Sequence, residues 1–162
     1  MHITDSHCHL YYEPYINNLK EMIRESKSNN VSSFLSISVD LKTSLKNIEI
    51  SSKYDEIFCT IGLHPNNVCK NFQNLDKILD LYKPCSKILG IGEAGIDLYR
   101  SKNNLDQQVE CFEKQIKFSI KNKLPLIIHS REAEKETINV LKKYTNQNFS
   151  FIIHCFSGSE NF

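Results

Sequence analysis

Two hydrophobic periodicities alternate along this chain. Short apolar runs that read as strands are separated by stretches in which apolar residues recur every three or four positions. The runs are His2 to Asp5, Val31 to Val39 (VSSFLSISV), Ile57 to Leu63 (IFCTIGL), Lys87 to Gly92 (KILGIG), Leu124 to Ile128 (LPLII) and Phe149 to Ile153 (FSFII). Helical stripes lie between them: Ile16, Leu19, Met22 and Ile23, then Leu41, Leu45 and Ile48, then Phe72 through Tyr82. A long one follows at Leu105, Val109, Phe112, Ile116 and Ile120, and a shorter one at Ile138, Leu141 and Tyr144. The pattern predicts six strand–helix steps, the last helix being cut off at Phe162. Regular alternation argues for a parallel α/β sheet with helices outside it. Near-continuous apolar strands such as PLII and FII fit a sheet buried on both faces. Periodicity alone leaves a doubly wound sheet and a barrel both open.

The polar residues narrow the choice. Of the six histidines, His7, His9, His64, His129 and His154 all fall at the C-terminal end of a predicted strand, and so does Glu93. In a (β/α) barrel every strand end opens on one face, and that face carries the active site. His7 and His9 stand two apart in Asp5-Ser6-His7-Cys8-His9-Leu10, so a strand would project them to the same side and turn Cys8 away. Imidazoles combined with a carboxylate suit zinc, manganese or iron. A carboxylate can bridge two cations, so Glu93 is placed to join a site at His7 and His9 to one at His129 and His154. Two such ions activate water and stabilise a leaving oxygen.

His64, before a proline turn, and Arg131, expected at the start of a helix, are the candidates for contact with substrate. A guanidinium grips phosphate oxygens bidentately. Asp97, Tyr99 and Ser157 are expected in loops on the same face, where they would hydrogen-bond substrate. Cys8 and Cys155 adjoin proposed ligands and read as packing.

Composition adds exclusions. With 162 residues, 40% hydrophobic and 24% charged, the chain has the makings of one globular domain. A net charge of +1 gives no strong electrostatic case for nucleic acid, though it permits a local basic patch. No apolar run reaches the roughly 20 residues of a membrane span. The first residues lack the charged-then-apolar pattern of an export signal, and the six cysteines form no Cys-x-x-Cys pair. The cysteines therefore read as reduced thiols of the cytosol or nucleus, mostly core filler.

The motifs DSHCHL (Asp5 to Leu10), GLHP (Gly62 to Pro65), GEAGIDLY (Gly92 to Tyr99), PLIIHSREA (Pro125 to Ala133) and HCFSGS (His154 to Ser159), with Gln108, Phe112 and Gln115 between them, resemble the TatD family of metal-dependent deoxyribonucleases. The resemblance runs from the first residues to the last. It implies a TIM-type (β/α) barrel and hydrolysis of DNA phosphodiester bonds by metal-activated water. It also implies two divalent ions (magnesium, zinc or manganese). His7 and His9 would hold one ion, His129 and His154 the other, with Glu93 between them as the catalytic carboxylate. His64 and Arg131 match positions that line the substrate phosphate.

The family barrel has eight strands, and this chain supplies six of them. On that reading it corresponds to the N-terminal three-fifths or so of the family pattern. It is expected to be one incomplete TatD-like domain over residues 1–162, without the Asp-Ser-Pro stretch at the end of the eighth strand. Two other readings stand beside the nuclease. One is an amidohydrolase-type enzyme acting on a small amide, lactone or phosphate ester. The other is an inactive relative. Many amidohydrolase relatives bridge their metals with a carboxylated lysine, and Glu93 at the fourth strand end favours the nuclease branch.

Overall fold

The computed structural model describes residues 2–84 and 86–160. Six parallel strands form one sheet in the order β1-β2-β3-β4-β5-β6, each pairing with the next in sequence. They are β1 (Ile3–Cys8), β2 (Val31–Ser36), β3 (Ile57–Ile61), β4 (Ile88–Asp97), β5 (Leu126–Arg131) and β6 (Phe151–Ile153). A doubly wound sheet reverses its strand order part-way. This one never does, and it curls into a half-barrel.

The helices are α1 (Leu19–Ser28), α2 (Leu41–Lys53), α3 (Val68–Asn71), α4 (Leu75–Leu79), α5 (Leu105–Asn122) and α6 (Glu134–Leu141). Asp40 starts α2 through a capping box with Thr43, which satisfies free backbone donors at the helix start. The main core lies between sheet and helices, where Ile61, Ile91, Phe112, Ile116, Leu126 and Ile128 are fully buried. Among the described residues no helix is long and apolar enough to cross a membrane.

Several elements differ from their sequence pattern. The stripe from Phe72 to Tyr82 is no single helix. Short 3-10 turns at Pro65–Asn67 and Phe72–Asn74 flank α3 and lead into α4. Phe151 and Ile152 are 43% and 54% exposed, so β6 is not buried on both faces. Among the described residues it has a strand neighbour on one side only. No helix follows β6 among the described residues, and the one expected at Phe162 lies outside them.

The largest difference is in β4. It was expected to end at Gly92 and deliver Glu93 from its tip. It runs five residues further, to Asp97. Pairing with β5 resumes at Ala94↔Ile128 and continues to Asp97↔Arg131, after a register shift between Ile91 and Ala94. Such a bulge re-aims side chains locally. Gly95 makes the extension feasible: at φ +144° a Cβ there would stand 2.0 Å from the carbonyl oxygen of His129. Only glycine permits so close a backbone approach.

Candidate metal centre

Glu93 is the centre of the cluster, 4% exposed, with imidazoles from four segments around its carboxylate. Oε1 lies 3.0 Å from His129 Nδ1, 2.5 Å from His154 Nε2 and 3.5 Å from His64 Nε2. Oε2 faces His7 Nε2 at 3.7 Å. One oxygen thus looks toward β1 and the other toward β5 and the end of β6.

The backbone that carries Glu93 is held by a buried polar chain that sequence reading passed over. Ser36 Oγ donates to Asn47, Asn47 Nδ2 donates to Ser38 Oγ, and Ser38 Oγ donates to the Thr60 carbonyl. Thr60 Oγ1 donates to the Gly92 carbonyl, and the Glu93 amide donates to the Ser38 carbonyl at 2.8 Å. All four side chains are buried and every link is made, so the network confers rigidity without an unpaired cost. Its sequence signal was slight: small polar residues at alternate places in VSSFLSISV.

Hydrogen bonds assign the proton on two rings. His9 Nδ1 lies 3.0 Å from the Ile37 carbonyl, which can only accept. The proton is therefore on Nδ1, and Nε2 presents a lone pair. His64 is the opposite. Its Nδ1 accepts the Asn66 amide at 3.1 Å, so a neutral His64 carries its proton on Nε2. Burial pushes the His64 pKa down and keeps the ring neutral. His64, Glu93 and His129 are close enough together to suggest a cation site, as are His7, His9 and Glu93. The tautomer makes His64 a hydrogen-bond donor and removes it from the ligand set.

Two buried ring nitrogens, His7 Nε2 and His154 Nε2, have no hydrogen-bond partner. The His154 nitrogen is near Glu93 Oε1 but not aligned for a hydrogen bond. Unpaired buried nitrogens turned toward a buried carboxylate are the donor set a cation takes. Burial, followed by the neighbouring His154, pulls the His7 pKa down to about 4, so its lone pair is free at neutral pH. Burial alone would raise the Glu93 carboxyl. The surrounding His129, His154 and His64 rings outweigh it and hold the group ionised far below the usual range.

The other candidates sit differently from expectation. Arg131 closes β5 and does not open a helix, which begins only at Glu134. Its guanidinium lies over the Tyr99 ring, 4.1 Å from the centroid, at the exposed rim. Asp97 is not in a loop. It ends β4, fully buried, and its carboxylate is taken up by neighbouring donors. Ser157 lines an open cavity of about 350 Å³ beside Arg131 and Glu134. Cys8 is half-buried, as packing requires, while Cys155 is exposed and is no core filler.

A sequence model of the TatD related DNase family matches residues 4–162. The chain belongs to the TatD-related DNase family. An uncharacterized metal-dependent hydrolase of Bacillus subtilis, YabD, is 33% identical over 97% of this chain and 62% of that protein. One from Buchnera aphidicola is 31% identical over 99% of this chain and 64% of its own length. The 3'-5' ssDNA/RNA exonuclease TatD of Cronobacter sakazakii is 26% identical over 86% of this chain and 53% of that protein. The crystal structure of the TatD homologue YjjV of Escherichia coli superposes with a TM-score of 0.88 at 23% identity, covering 97% of this chain and 61% of that one. The likeness to YabD, the Buchnera protein and YjjV is not confined to part of this chain. The chain in turn spans between 60 and 64% of the length of the first curated relatives it matches.

Proposed function

We propose that this TatD-family protein is a metal-dependent deoxyribonuclease that hydrolyses phosphodiester bonds. The observation that carries the reading is the pair of unpaired, buried nitrogens of His7 and His154 facing the shared carboxylate of Glu93. His7, His9 and Glu93 would hold one divalent ion, and His129, His154 and Glu93 a second. The nitrogen-rich donor set favours zinc or manganese over magnesium. When bound, such ions generate a nucleophile from water at neutral pH and neutralise a leaving oxygen.

The chain's own residues then have defined tasks. Glu93 keeps its charge in a water-poor setting and holds both halves of the cluster in register. His64 directs an Nε2 proton inward, suited to a phosphate oxygen. Arg131, steadied by Tyr99, offers a two-pronged donor to the same phosphate from the rim. The name carried by the Cronobacter relative supports a nucleic-acid substrate. The free thiols of Cys59 and Cys111 suit the cytosol or nucleus.

The test uses purified protein stripped by a chelator and restored with zinc, manganese or magnesium. Cleavage of end-labelled single-stranded and duplex DNA is followed beside a panel of lactones and cyclic amides. The expected result is metal-dependent DNA cleavage, lost together with bound metal in Glu93→Ala. Hydrolysis of the panel without cleavage of DNA overturns the nuclease reading. Metal content unchanged in Glu93→Ala overturns the site.

A further inference from the structure

His129 is the one ring of the cluster whose two nitrogens both face carboxylates. Nδ1 stands 3.0 Å from Glu93 Oε1, and Nε2 stands 3.1 Å from Asp97 Oδ2. A ring that ligates a metal through one nitrogen keeps a single N–H, on the other. One nitrogen therefore donates, and the other turns a lone pair toward a negative oxygen unless a cation lies near it. Asp97 settles which is which. Its Oδ1 accepts the Arg100 amide at 2.8 Å, and its Oδ2 accepts Asn66 Nδ2 at 2.9 Å as well as the His129 ring. It is fully buried, and both of its oxygens are already taken up by these donors. Glu93, in contrast, already faces two unpaired ring nitrogens.

We propose that Asp97 is a positioning residue: it holds the His129 proton on Nε2 and so presents Nδ1 as the ligand atom beside Glu93. The inference rests on the metal-site reading above. A second tier keeps Asp97 in place. Gln108 of α5 accepts the Asp97 amide through Oε1 at 2.8 Å. Its Nε2 returns to the Asp97 carbonyl, the Ser101 carbonyl and Asn104 Oδ1. A charged acceptor behind a ligating imidazole raises ligand basicity and fixes the ring, and its loss typically costs 10–100-fold in metal affinity.

Asp97→Asn is the informative change because it keeps the shape. All three partners of the carboxylate are donors, so an amide NH₂ would meet at least one of them head-on. With the NH₂ in the Oδ2 place the His129 proton is driven to Nδ1, and with it in the Oδ1 place a neutral carbonyl replaces the charged acceptor behind Nε2; either change weakens Nδ1 as a ligand. The expected outcome, in cobalt-substituted protein, is an altered visible spectrum and a metal affinity at the His129 position lower by about 10–100-fold. The His7 and His9 position keeps wild-type affinity, and the metal-free protein keeps its circular dichroism. Wild-type affinity and spectrum in Asp97→Asn overturn the proposal.

If that variant does not fold, ring-nitrogen NMR of the zinc-loaded wild type decides. A metal-shifted Nδ1 with a hydrogen-bonded proton on Nε2 supports the proposal, and ligation through Nε2 overturns it. Ligation through Nδ1 without DNA cleavage sinks the nuclease reading and leaves Asp97 its role. DNA cleavage with ligation through Nε2 does the reverse. A wild type that takes up no metal overturns both.

Discussion

His7 and His154 stack face to face, with ring centroids 4.1 Å apart and planes within 10° of parallel. They belong to opposite margins of the sheet: His7 is in β1, and His154 follows β6. Those strands are not hydrogen-bonded neighbours, so the curl of the sheet alone brings the rings together. The contact leaves both Nε2 atoms buried and unpaired. His154→Phe tests this arrangement, because it keeps an aromatic ring in the stack and removes the nitrogen. We expect bound metal to fall after dialysis while the far-ultraviolet circular dichroism stays that of the wild type. Unchanged metal content would remove His154 from the ligand set.

His64 and His129 both approach Glu93, yet their tautomers predict opposite behaviour. His64→Ala should leave metal affinity within about twofold of wild type and lower the rate of hydrolysis by about 10²-fold, as loss of a preorganised donor does. His129→Ala should release metal. Titration calorimetry on both variants separates the cases, and a matched loss of affinity would make His64 a ligand after all.

The metal-free protein should lose stability as pH falls from about 6.5 toward 4. Unfolded His7 takes a proton with its ordinary affinity, whereas burial and His154 hold the folded group at about 4. Between those values the unfolded chain binds more protons, so stability rises with pH. His64, lowered by burial, adds in the same direction. Glu93 works in the same sense at lower pH: its depressed pKa gives stability above the ordinary carboxylate value that is lost as pH falls further. Thermal unfolding at intervals from pH 8 to pH 4 reads the slope. A midpoint that is flat or rising toward acid contradicts the burial of these rings.

Gln115 of α5 grips β3 just past its end. Its Oε1 accepts the Leu63 amide at 2.9 Å, and its Nε2 donates to the Leu63 carbonyl at 3.1 Å, one residue before His64. Gln115→Leu leaves two buried backbone groups without partners, at about 1–3 kcal/mol each. The thermal midpoint should fall by several degrees. A midpoint equal to wild type would mean that water replaces the side chain.

Gly95→Ala should prevent folding. The added Cβ would meet the His129 carbonyl at 2.0 Å, and that atom belongs to a paired strand that cannot withdraw. Recovery of soluble protein with a wild-type unfolding midpoint would show that the β4–β5 approach is looser than described.

Much of the fold was legible because its determinants are local. Apolar runs in β2, β3 and β5 and the stripe of α5 report burial through periodicities that belong to strand and helix geometry. Parallel strands must be joined by crossovers, so alternation implied topology. The cluster of His7, His9, His64, Glu93, His129 and His154 was legible for a related reason: each lies in the C-terminal half of a strand or just beyond it, and those ends share one face.

What the sequence could not express is set between residues far apart in the chain. The length of β4 depends on Gly95 lying against His129, a contact across 34 positions. The burial of Asp97, read from the sequence as a loop residue, depends on Gln108, Asn66 and His129 arriving from three elements. The proton on His64 follows from one backbone amide in the turn after it. By itself the sequence determined which residues would gather, because strand ends in a parallel sheet point one way. Only the tertiary structure decided which atom of each residue faces Glu93, because a hydrogen bond is directional and its partners are chosen by folding.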